Sequence, residues 1–176
     1  MKYRLPELED KEKIKLYIEE HYSNHEKSLS ASNKLTSMRY EEWVNKIHSN
    51  VNTPDKEWGK SLTYLVFNEE NNLIGLLSVR YDLSEEKAME FWHIGYGVRP
   101  SQRRKGYATK MLEFALEECR KYGLKKVILG CYKENTGSAR TIIKNNGKLI
   151  KEKNVSINIS DNWKIDLIDQ FYEIEI

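Results

Sequence analysis

The sequence has 176 residues, of which 39% are hydrophobic and 32% charged, a balance typical of a water-soluble globular protein and not of a disordered one. With 29 Lys and Arg against 27 Asp and Glu residues, the net charge is +2, which argues against nucleic acid or a membrane surface as an electrostatic partner. The length suits one domain with one substantial core, and we predict a single domain over residues 1–176.

No apolar run approaches the roughly 20 residues that a membrane span needs, and the N-terminal segment lacks the apolar core of a signal peptide. Cys119 and Cys131 lie in apolar stretches without metal-ligand spacing. Such cysteines are typical of buried thiols in a reducing compartment. We therefore expect a cytoplasmic protein that holds no metal.

The first part of the chain is predicted to form one strand and two helices. A short strand over 2–5 precedes a helix over 8–22, where apolar residues recur at helical spacing. A second helix follows over 40–50. The Ser-, Asn- and Lys-rich segment 23–39 between the helices is predicted as a loop, and loops of this length are often functional.

A β meander is predicted next. A strand over 62–67 and its partner over 73–81 are joined by a polar turn, and a second polar turn over 82–88 leads to a third long strand over 89–98. Gly95 and Gly97 interrupt that third strand, which indicates a bulge or the close approach of another backbone.

The last part of the chain begins with the clearest helix. Apolar residues from Ala108 to Cys119 follow helical spacing and predict an amphipathic helix of about 18 residues, ended by Gly123. A buried strand over 124–131 and a helix over 135–146 follow. Two final strands are predicted near 148–154 and 170–176.

The element order is therefore β-αα-βββ-α-β-α-ββ, which predicts an α/β fold with a mixed sheet. The strands predicted over 89–98 and 124–131 flank a helix. We expect them to be parallel neighbours joined by a right-handed crossover.

A basic, glycine-containing loop lies between the third meander strand and the long helix. The first amides of a helix have no intrahelical partners, and the helix dipole adds positive potential, so such a terminus can bind a phosphate group. Gly106 lets a ligand approach the backbone, and the small Ala108 leaves the next turn clear. Arg103, Arg104 and Lys105 add positive charge.

Arg103-x-x-Gly106-x-Ala108 resembles the (Gln/Arg)-x-x-Gly-x-(Gly/Ala) signature of the GNAT superfamily, the Gcn5-related N-acetyltransferases. Val98 stands five residues before Arg103, as the end of the preceding strand does in that family. The resemblance implies the acyl-CoA N-acyltransferase fold and a loop that binds the pyrophosphate of acetyl-CoA. The alternative is an ordinary βα loop whose basic residues are only solvated.

A second segment, Asn135-Thr-Gly-Ser138, resembles the Asn-x-x-(Ala/Ser) motif of the same family, in which the Asn contacts the pantetheine arm of the cofactor. Asn135 and Ser138 are equally suited to an N-cap and the first turn of a helix. Order and spacing agree with the family over about residues 60–150. Residues 92–149 and the terminal strand also resemble a bacterial subgroup of predicted acetyltransferases.

The implied cofactor-binding residues are those of the strand end, the basic loop and the second motif: Gly97, Val98, Arg103, Arg104, Lys105, Gly106, Tyr107, Ala108, Thr109, Asn135 and Ser138.

The resemblance also implies direct transfer in a ternary complex, with the thioester oxygen polarised by a backbone amide near Gly97 or Val98. In many relatives a tyrosine seven residues after the motif Asn protonates the leaving thiolate. Here that position is Ile142. Another group, such as Tyr132, or a water would have to act instead, or the thiolate leaves unprotonated.

An amine with a pKa near ~10.4 must lose a proton before it can attack. The candidates for the general base are Glu90, His93 and Tyr96. Strand alternation puts Glu90 and Tyr96 on one face and His93 on the other, but a bulge at the glycines would shift this parity, so the choice stays open. Cys131 lies in an apolar strand and is expected to be inert core and not a nucleophile.

The acceptor site is expected between the N-terminal helices, the 23–39 loop and the last strands. Five aromatic residues either wall this site or belong to the core: Tyr40, Trp43, Trp58, Trp92 and Trp163. We expect an acetyl-CoA-dependent N-acetyltransferase acting on a primary amine of a small molecule. The alternatives are acetylation of a peptide or protein and a non-catalytic acyl-CoA-binding module. Late edge strands are compatible with a homodimer.

Overall fold

The computed structural model describes residues 1–160 and 163–176. Helices and strands alternate along these residues, with short 3-10 turns between some of them. The strands are β1 (Lys2–Arg4), β2 (Ser61–Phe67), β3 (Leu73–Arg80), β4 (Ile94–Val98), β5 (Lys126–Tyr132), β6 (Lys148–Ser160) and β7 (Trp163–Glu175). The helices are α1 (Lys11–Ser23), α2 (Tyr40–Asn50), α3 (Glu85–Phe91), α4 (Tyr107–Lys121) and α5 (Thr136–Lys144).

The strands form two antiparallel sheets, one in the order β1-β2-β3-β4 and one in the order β5-β7-β6. The α/β class and the two N-terminal helices are confirmed. The two last strands are longer than predicted, with 13 residues each. No helix in the described part of the chain is both long and apolar enough to cross a membrane.

Helix α4 and the N-terminal helices bury opposite faces of the first sheet. Met111, Leu112 and Cys119 of α4 are fully buried in one cluster with residues of both sheets. Tyr17 of α1 and Trp43 of α2 are fully buried in a second cluster on the other face. Each such side chain contributes about 1.5–3 kcal/mol by leaving water. The first sheet is therefore sandwiched between helices, and α4 joins it to the second sheet.

The predicted third strand over 89–98 is wrong in its first half, and the turn predicted over 82–88 is wrong in its second half. Residues 85–91 form helix α3, because Ser84 caps it by accepting a hydrogen bond from the Lys87 amide and two glutamates occupy its first turn. The spacing of apolar residues over 89–94 fits a strand, and for this reason the helix start at Ser84 was not recognised in the sequence. Glu90 therefore lies on an exposed helix, and its predicted strand face does not exist.

The predicted pairing of β4 with β5 is also wrong. The strands meet only where β4 begins, at a contact between His93 and Ile128. The His93 amide donates to the Ile128 carbonyl at 2.9 Å, and the Ile128 amide donates to Nδ1 of the imidazole at 2.9 Å. The His93 carbonyl accepts from the Arg80 amide of β3, and β5 pairs with β7, so the two strands separate beyond this point.

The glycines of β4 allow the close approach of another backbone. The β3–β4 pairing runs without a register shift from Val79 to Gly75, so the alternative of a bulge is wrong. A Cβ atom at Gly97 would lie 3.2 Å from the carbonyl oxygen of Ser30 and 3.3 Å from the Tyr17 hydroxyl. The 23–39 loop therefore rests directly on β4.

Candidate active site

A cavity of about 670 Å³ lies where β4 and β5 separate. Its walls are the end of β4, the first turns of α4 and α5, and the loop after α1. The lining residues are Glu26, Ser30, Tyr96, Gly97, Val98, Gln102, Arg103, Arg104, Gly106, Tyr107, Ala108, Thr109, Asn135, Thr136, Gly137, Ser138, Arg140, Thr141 and Lys144.

The open edge of β4 presents backbone amides to this cavity. The Arg99 amide donates to the Ile74 carbonyl, and the Arg80 amide donates to the His93 carbonyl, so odd-numbered residues of β4 exchange hydrogen bonds with β3. Successive backbone groups of a strand point in opposite directions. The N–H groups of Tyr96 and Val98 therefore point away from β3, toward the gap.

Gly106 positions the first turn of α4. It is the N-cap residue with φ of +80°, a left-handed conformation that glycine adopts at little cost. An added Cβ atom at Gly106 would meet nothing within 4 Å. Glycine is therefore favoured here by the backbone angle and not by crowding, and the space next to it is open. The amides of the first helical turn have no intrahelical partners and lie at the cavity.

Arg103 ties the basic loop to the loop after α1. Its guanidinium makes a bidentate ion pair with Glu26, at 2.5 and 2.9 Å, and its Nε donates to the Val98 carbonyl at 2.9 Å. Glu26 also contacts Nδ1 of His21 at 2.7 Å and accepts from Asn24 at 2.9 Å. Burial acts to raise the pKa of Glu26, but the hydrogen bonds from Arg103, His21 and Asn24 outweigh it and lower the pKa to about 2.

The other cations of the basic loop differ in position. Arg104 lines the cavity, whereas Lys105 donates to the Gln102 side chain and is not among the lining residues. Arg140 and Lys144 of α5 also line the cavity, and the sequence analysis missed both. Their i, i+4 spacing on the predicted helix was the signal that could have found them, since it places two positive charges on one helix face.

The second motif forms the N-terminus of α5. The Asn135 side chain accepts from the Ser138 amide at 3.1 Å and caps the helix. Both residues also line the cavity, so the capping role and a cavity position coexist. The Ser138 hydroxyl lies 2.9 Å from the hydroxyl of Tyr96, which bridges from β4 to α5. Burial raises the pKa of Tyr96, so its hydroxyl stays protonated.

The remaining catalytic candidates lie elsewhere. His93 is 5% exposed, its Nδ1 is occupied by the Ile128 amide, and burial lowers its pKa to about 4. Glu90 is exposed on α3, and Tyr132, which is 39% exposed, stands at the end of β5. None of the three lines the cavity.

Ile142, at the position of the family tyrosine, is fully buried and touches Gly147. Cys131 is also buried, and burial raises the pKa of its thiol. Within residues 1–160 and 163–176, no three His, Cys, Asp or Glu side chains cluster as metal ligands would.

The family model for the Acetyltransferase (GNAT) family matches residues 31–146, about two thirds of the chain. The chain belongs to this family of acetyltransferases. The matched range contains the cavity walls formed by β4, α4 and α5. No well-characterised protein is similar enough in sequence to count as a relative.

Solved structures of other GNAT acetyltransferases share the fold along the whole chain. A GNAT acetyltransferase from Streptococcus pneumoniae superposes with a TM-score of 0.69 at 15% identity, covering 99% of both chains. The microcin C7 self-immunity acetyltransferase MccE, in complex with acetyl-CoA and AMP, has a TM-score of 0.68 at 18% identity, covering 99% of this chain and 91% of its own.

An acetyltransferase from Salmonella typhimurium that modifies the N-terminal serine of ribosomal protein L7/L12 has a TM-score of 0.66 at 16% identity, with coverage of 99% and 94%. At these identities the likeness shows the fold and does not identify the acceptor.

Proposed function

We propose that the protein transfers the acetyl group of acetyl-CoA directly to a primary amine of a small molecule in a ternary complex. The cavity at the end of β4 carries this proposal, because a free helix N-terminus, several cations and an open strand edge meet there. The first two suit phosphate groups, and the gap suits an extended thioester arm. The presence of acetyl-CoA in MccE supports the choice of cofactor. Both sheets share α4, which supports one acetyltransferase domain over residues 1–176.

We assign the pyrophosphate to the amides of the first turn of α4, which Gly106 leaves accessible. Arg104, Arg140 and Lys144 line the same cavity and would balance the remaining phosphate charge. Asn135 would contact the pantetheine arm. Arg103 is assigned a positioning role, because its guanidinium is already paired with Glu26.

The amides of Tyr96 and Val98 point to the gap and would polarise the thioester carbonyl. A single donor of this kind typically accounts for about 100–1,000-fold in rate. Once the amine has attacked, the C–S bond breaks and the thiolate must take up a proton. We assign that proton to the hydroxyl of Tyr96, which lines the cavity beside the first turn of α5. Tyr96 would thus take the role of the tyrosine that many relatives have at the position of Ile142.

A protein acceptor is the second candidate, since the Salmonella typhimurium relative modifies an N-terminal serine of a ribosomal protein. The two candidates are separated by comparing kcat/KM for free amines with that for peptides carrying the same amine at their N-terminus. Acceptance of peptides alone would favour the second. Cofactor binding without transfer to either class would favour a non-catalytic binding module.

The cofactor assignment is tested by calorimetry with Gly106→Glu. A carboxylate above the first turn of α4 would repel the pyrophosphate, and we expect the affinity for acetyl-CoA to fall at least about 100-fold, or 2.7 kcal/mol. Gly123→Glu is the matched control, because Gly123 has φ of +83° and an equally open Cβ position but lies at the other end of α4.

Both variants carry the same cost of a left-handed side-chain residue, about 1–2 kcal/mol. Only Gly106→Glu should lose the cofactor. Equal affinity of the two variants for acetyl-CoA would contradict the assignment of this cavity.

A further inference from the structure

One face of the second sheet, away from α4, carries four residues that the β5–β7 register places together. Gly130 pairs with Phe171, and Tyr132 pairs with Asp169, so their side chains project on the same side. Phe171 packs with Ile128 beneath α3, in a cluster separate from the core that contains α4. Asp169 therefore lies on the face opposite α4, next to Tyr132.

Trp92 covers this face at Gly130. A Cβ atom at Gly130 would lie only 2.2 Å from the indole, so the ring rests directly on the β5 backbone. Trp92 has φ of +56°, which is strained for a bulky residue. The half-buried Arg80 holds this conformation by donating to the carbonyls of Phe91 and Trp92, the latter at 3.0 Å. The scaffold thus fixes the indole where β4 and β5 begin to separate.

Two buried polar atoms on this face have no hydrogen-bond partner among the residues that the structure describes. They are the indole Nε1 of Trp92, a donor, and the carboxylate Oδ1 of Asp169, an acceptor. Each buried polar atom left in this way costs about 1–3 kcal/mol, and such atoms in a native fold require an explanation. A ligand with a positively charged donor group would satisfy the carboxylate.

Asp169 is also close to the cavity through the end of β5. The pKa of the Cys131 thiol on β5 is raised by burial and by the charge of Asp169, and is lowered by a hydrogen bond with Ser138, which lines the cavity. The Tyr96 hydroxyl lies 2.9 Å from the same Ser138. Asp169 is the partner of Tyr132, the residue after Cys131. The carboxylate therefore lies near the end of β5 that is closest to the first turn of α5.

We propose that Asp169 binds the ammonium group of the acceptor amine and takes its proton, with Trp92 and Tyr132 beside it as aromatic neighbours. The inference rests on the proposed acetyl-CoA function and names the acceptor as a cationic primary amine. The ammonium gives one proton to the carboxylate. The neutral amine then attacks the thioester carbon, and a C–N bond forms. As the C–S bond breaks, the thiolate takes the proton of the Tyr96 hydroxyl, and the second proton leaving the nitrogen restores that hydroxyl.

The surroundings of Asp169 suit a general base. Burial raises the pKa of its carboxyl group, and Lys153, its partner on β6, lowers it only in part. Tyr132 of β5 is the titratable group beside it, and its pKa is raised by burial and by Asp169. A carboxylate with a raised pKa accepts a proton more readily, which favours its use near neutral pH.

The variant Asp169→Asn tests this assignment, and Asp166→Asn is its matched control. Asp166 lies on the same strand, is exposed, and projects from the opposite face, where it accepts from Ser156 at 2.5 Å. The probes are phenethylamine, tyramine, spermidine and 1,4-diaminobutane. Calorimetry measures their binding to the CoA-saturated protein. Neutral 2-phenylethanol serves as the uncharged control ligand.

We expect at least one cationic probe to bind the wild type, to bind Asp166→Asn equally, and to lose at least about 10-fold, or 1.4 kcal/mol, in Asp169→Asn. With that probe, kcat should fall about 100-fold in Asp169→Asn, with partial recovery as pH rises toward the pKa of the amine. Binding that is equal in the two variants, or absent for all four probes, would overturn the proposal. The affinity of Asp169→Asn for acetyl-CoA, expected to be unchanged, reports separately on the cofactor site.

Discussion

Single side chains decide how the site differs from the family pattern. Ile142 removes a hydroxyl group from α5, while Tyr96 brings one to the same helix from β4, within 2.9 Å of Ser138. The proton donor that we propose thus belongs to β4 and contacts the first turn of α5. His93 shows the reverse case, since its imidazole is buried to bond the Ile128 amide and holds two strands together.

Tyr96→Phe tests the proton-donor role at this scale. Loss of the hydroxyl should lower kcat about 100-fold and leave the affinity for acetyl-CoA within about 2-fold, because general acid catalysis acts on the chemical step alone. Tyr122→Phe serves as the control outside the cavity, because Tyr122 is exposed at the C-terminal end of α4. An equal fall in both variants, or a fall confined to cofactor affinity, would contradict the role.

Most residues predicted to bind the cofactor line the cavity, because backbone chemistry places them there. A helix N-terminus offers free amides to an anion, and Gly106 at the start of α4 lies at the cavity. Asp169 could not be predicted in this way. Its neighbours Trp92 and Tyr132 come from other elements, and only the register of β5 and β7 brings them to one face.

At the scale of elements, the loop after α1 is part of the site. Asn33 anchors it by donating to the hydroxyls of Thr63 and Ser78, and the Trp43 indole donates to the Ser32 carbonyl at 2.8 Å. Its other end is held by the ion pair between Glu26 and Arg103. The sequence predicted a loop of functional length but not these anchors, because each partner lies on a distant element.

Glu26→Gln tests the ion pair between the two loops. The pKa of Glu26 is lowered to about 2, so ionised Glu26 stabilises the fold above its ordinary pKa of 4.5, and this stabilisation is lost as pH falls through about 2. We expect the variant to be less stable by about 1 kcal/mol at pH 7, a figure discounted because the pair is partly exposed. Urea unfolding measures the difference at each pH.

Glu19→Gln is the control for this experiment, since Glu19 is exposed on α1 and makes a long ion pair of 3.9 Å with the exposed Lys15. A stability difference between wild type and Glu26→Gln that persists undiminished at pH 2 would contradict the pairing. So would equal effects of the two substitutions at pH 7.

Helix α3 shows why the predicted elements failed at one place. The apolar residues over 89–94 fit strand alternation, but Ser84 with two following glutamates is a helix start. Periodicity and capping signals disagreed, and the capping signal was correct. The segment that was wrongly predicted as a strand includes Trp92, which has a strained backbone and belongs to the proposed acceptor site.

At the scale of the whole molecule, the main structural feature is the separation of β4 from β5, where the cavity lies. The order of elements predicted the fold class, because each helix and strand carries its own pattern. It could not predict that β4 and β5 would part, because β5 pairs instead with β7, a strand from a distant part of the sequence.

Binding in the cavity should stabilise the entire fold, because α4, which forms part of the cavity wall, packs against both sheets. Acetyl-CoA at 100 times its Kd should add about 2.7 kcal/mol to the free energy of unfolding. For a domain of this size that corresponds to a rise in Tm of roughly 5–10 °C, taken from about 2–4 °C per kcal/mol. Differential scanning calorimetry should show one transition moving upward as a unit. Two transitions of which only one moves would mean that the sheets unfold separately.

The parting of the two strands also has a consequence for handling the protein. β4 and β5 are each the last strand of their sheet, so each offers a row of backbone groups that could pair with a strand of another molecule. The Ser30 backbone shields one side of β4 at Gly97, but the edge itself faces the gap. Aggregation should thus depend on whether a ligand occupies the gap. The empty protein has two neighbouring edge strands with unpaired backbone groups, and a ligand that fills the gap would also reduce association between molecules.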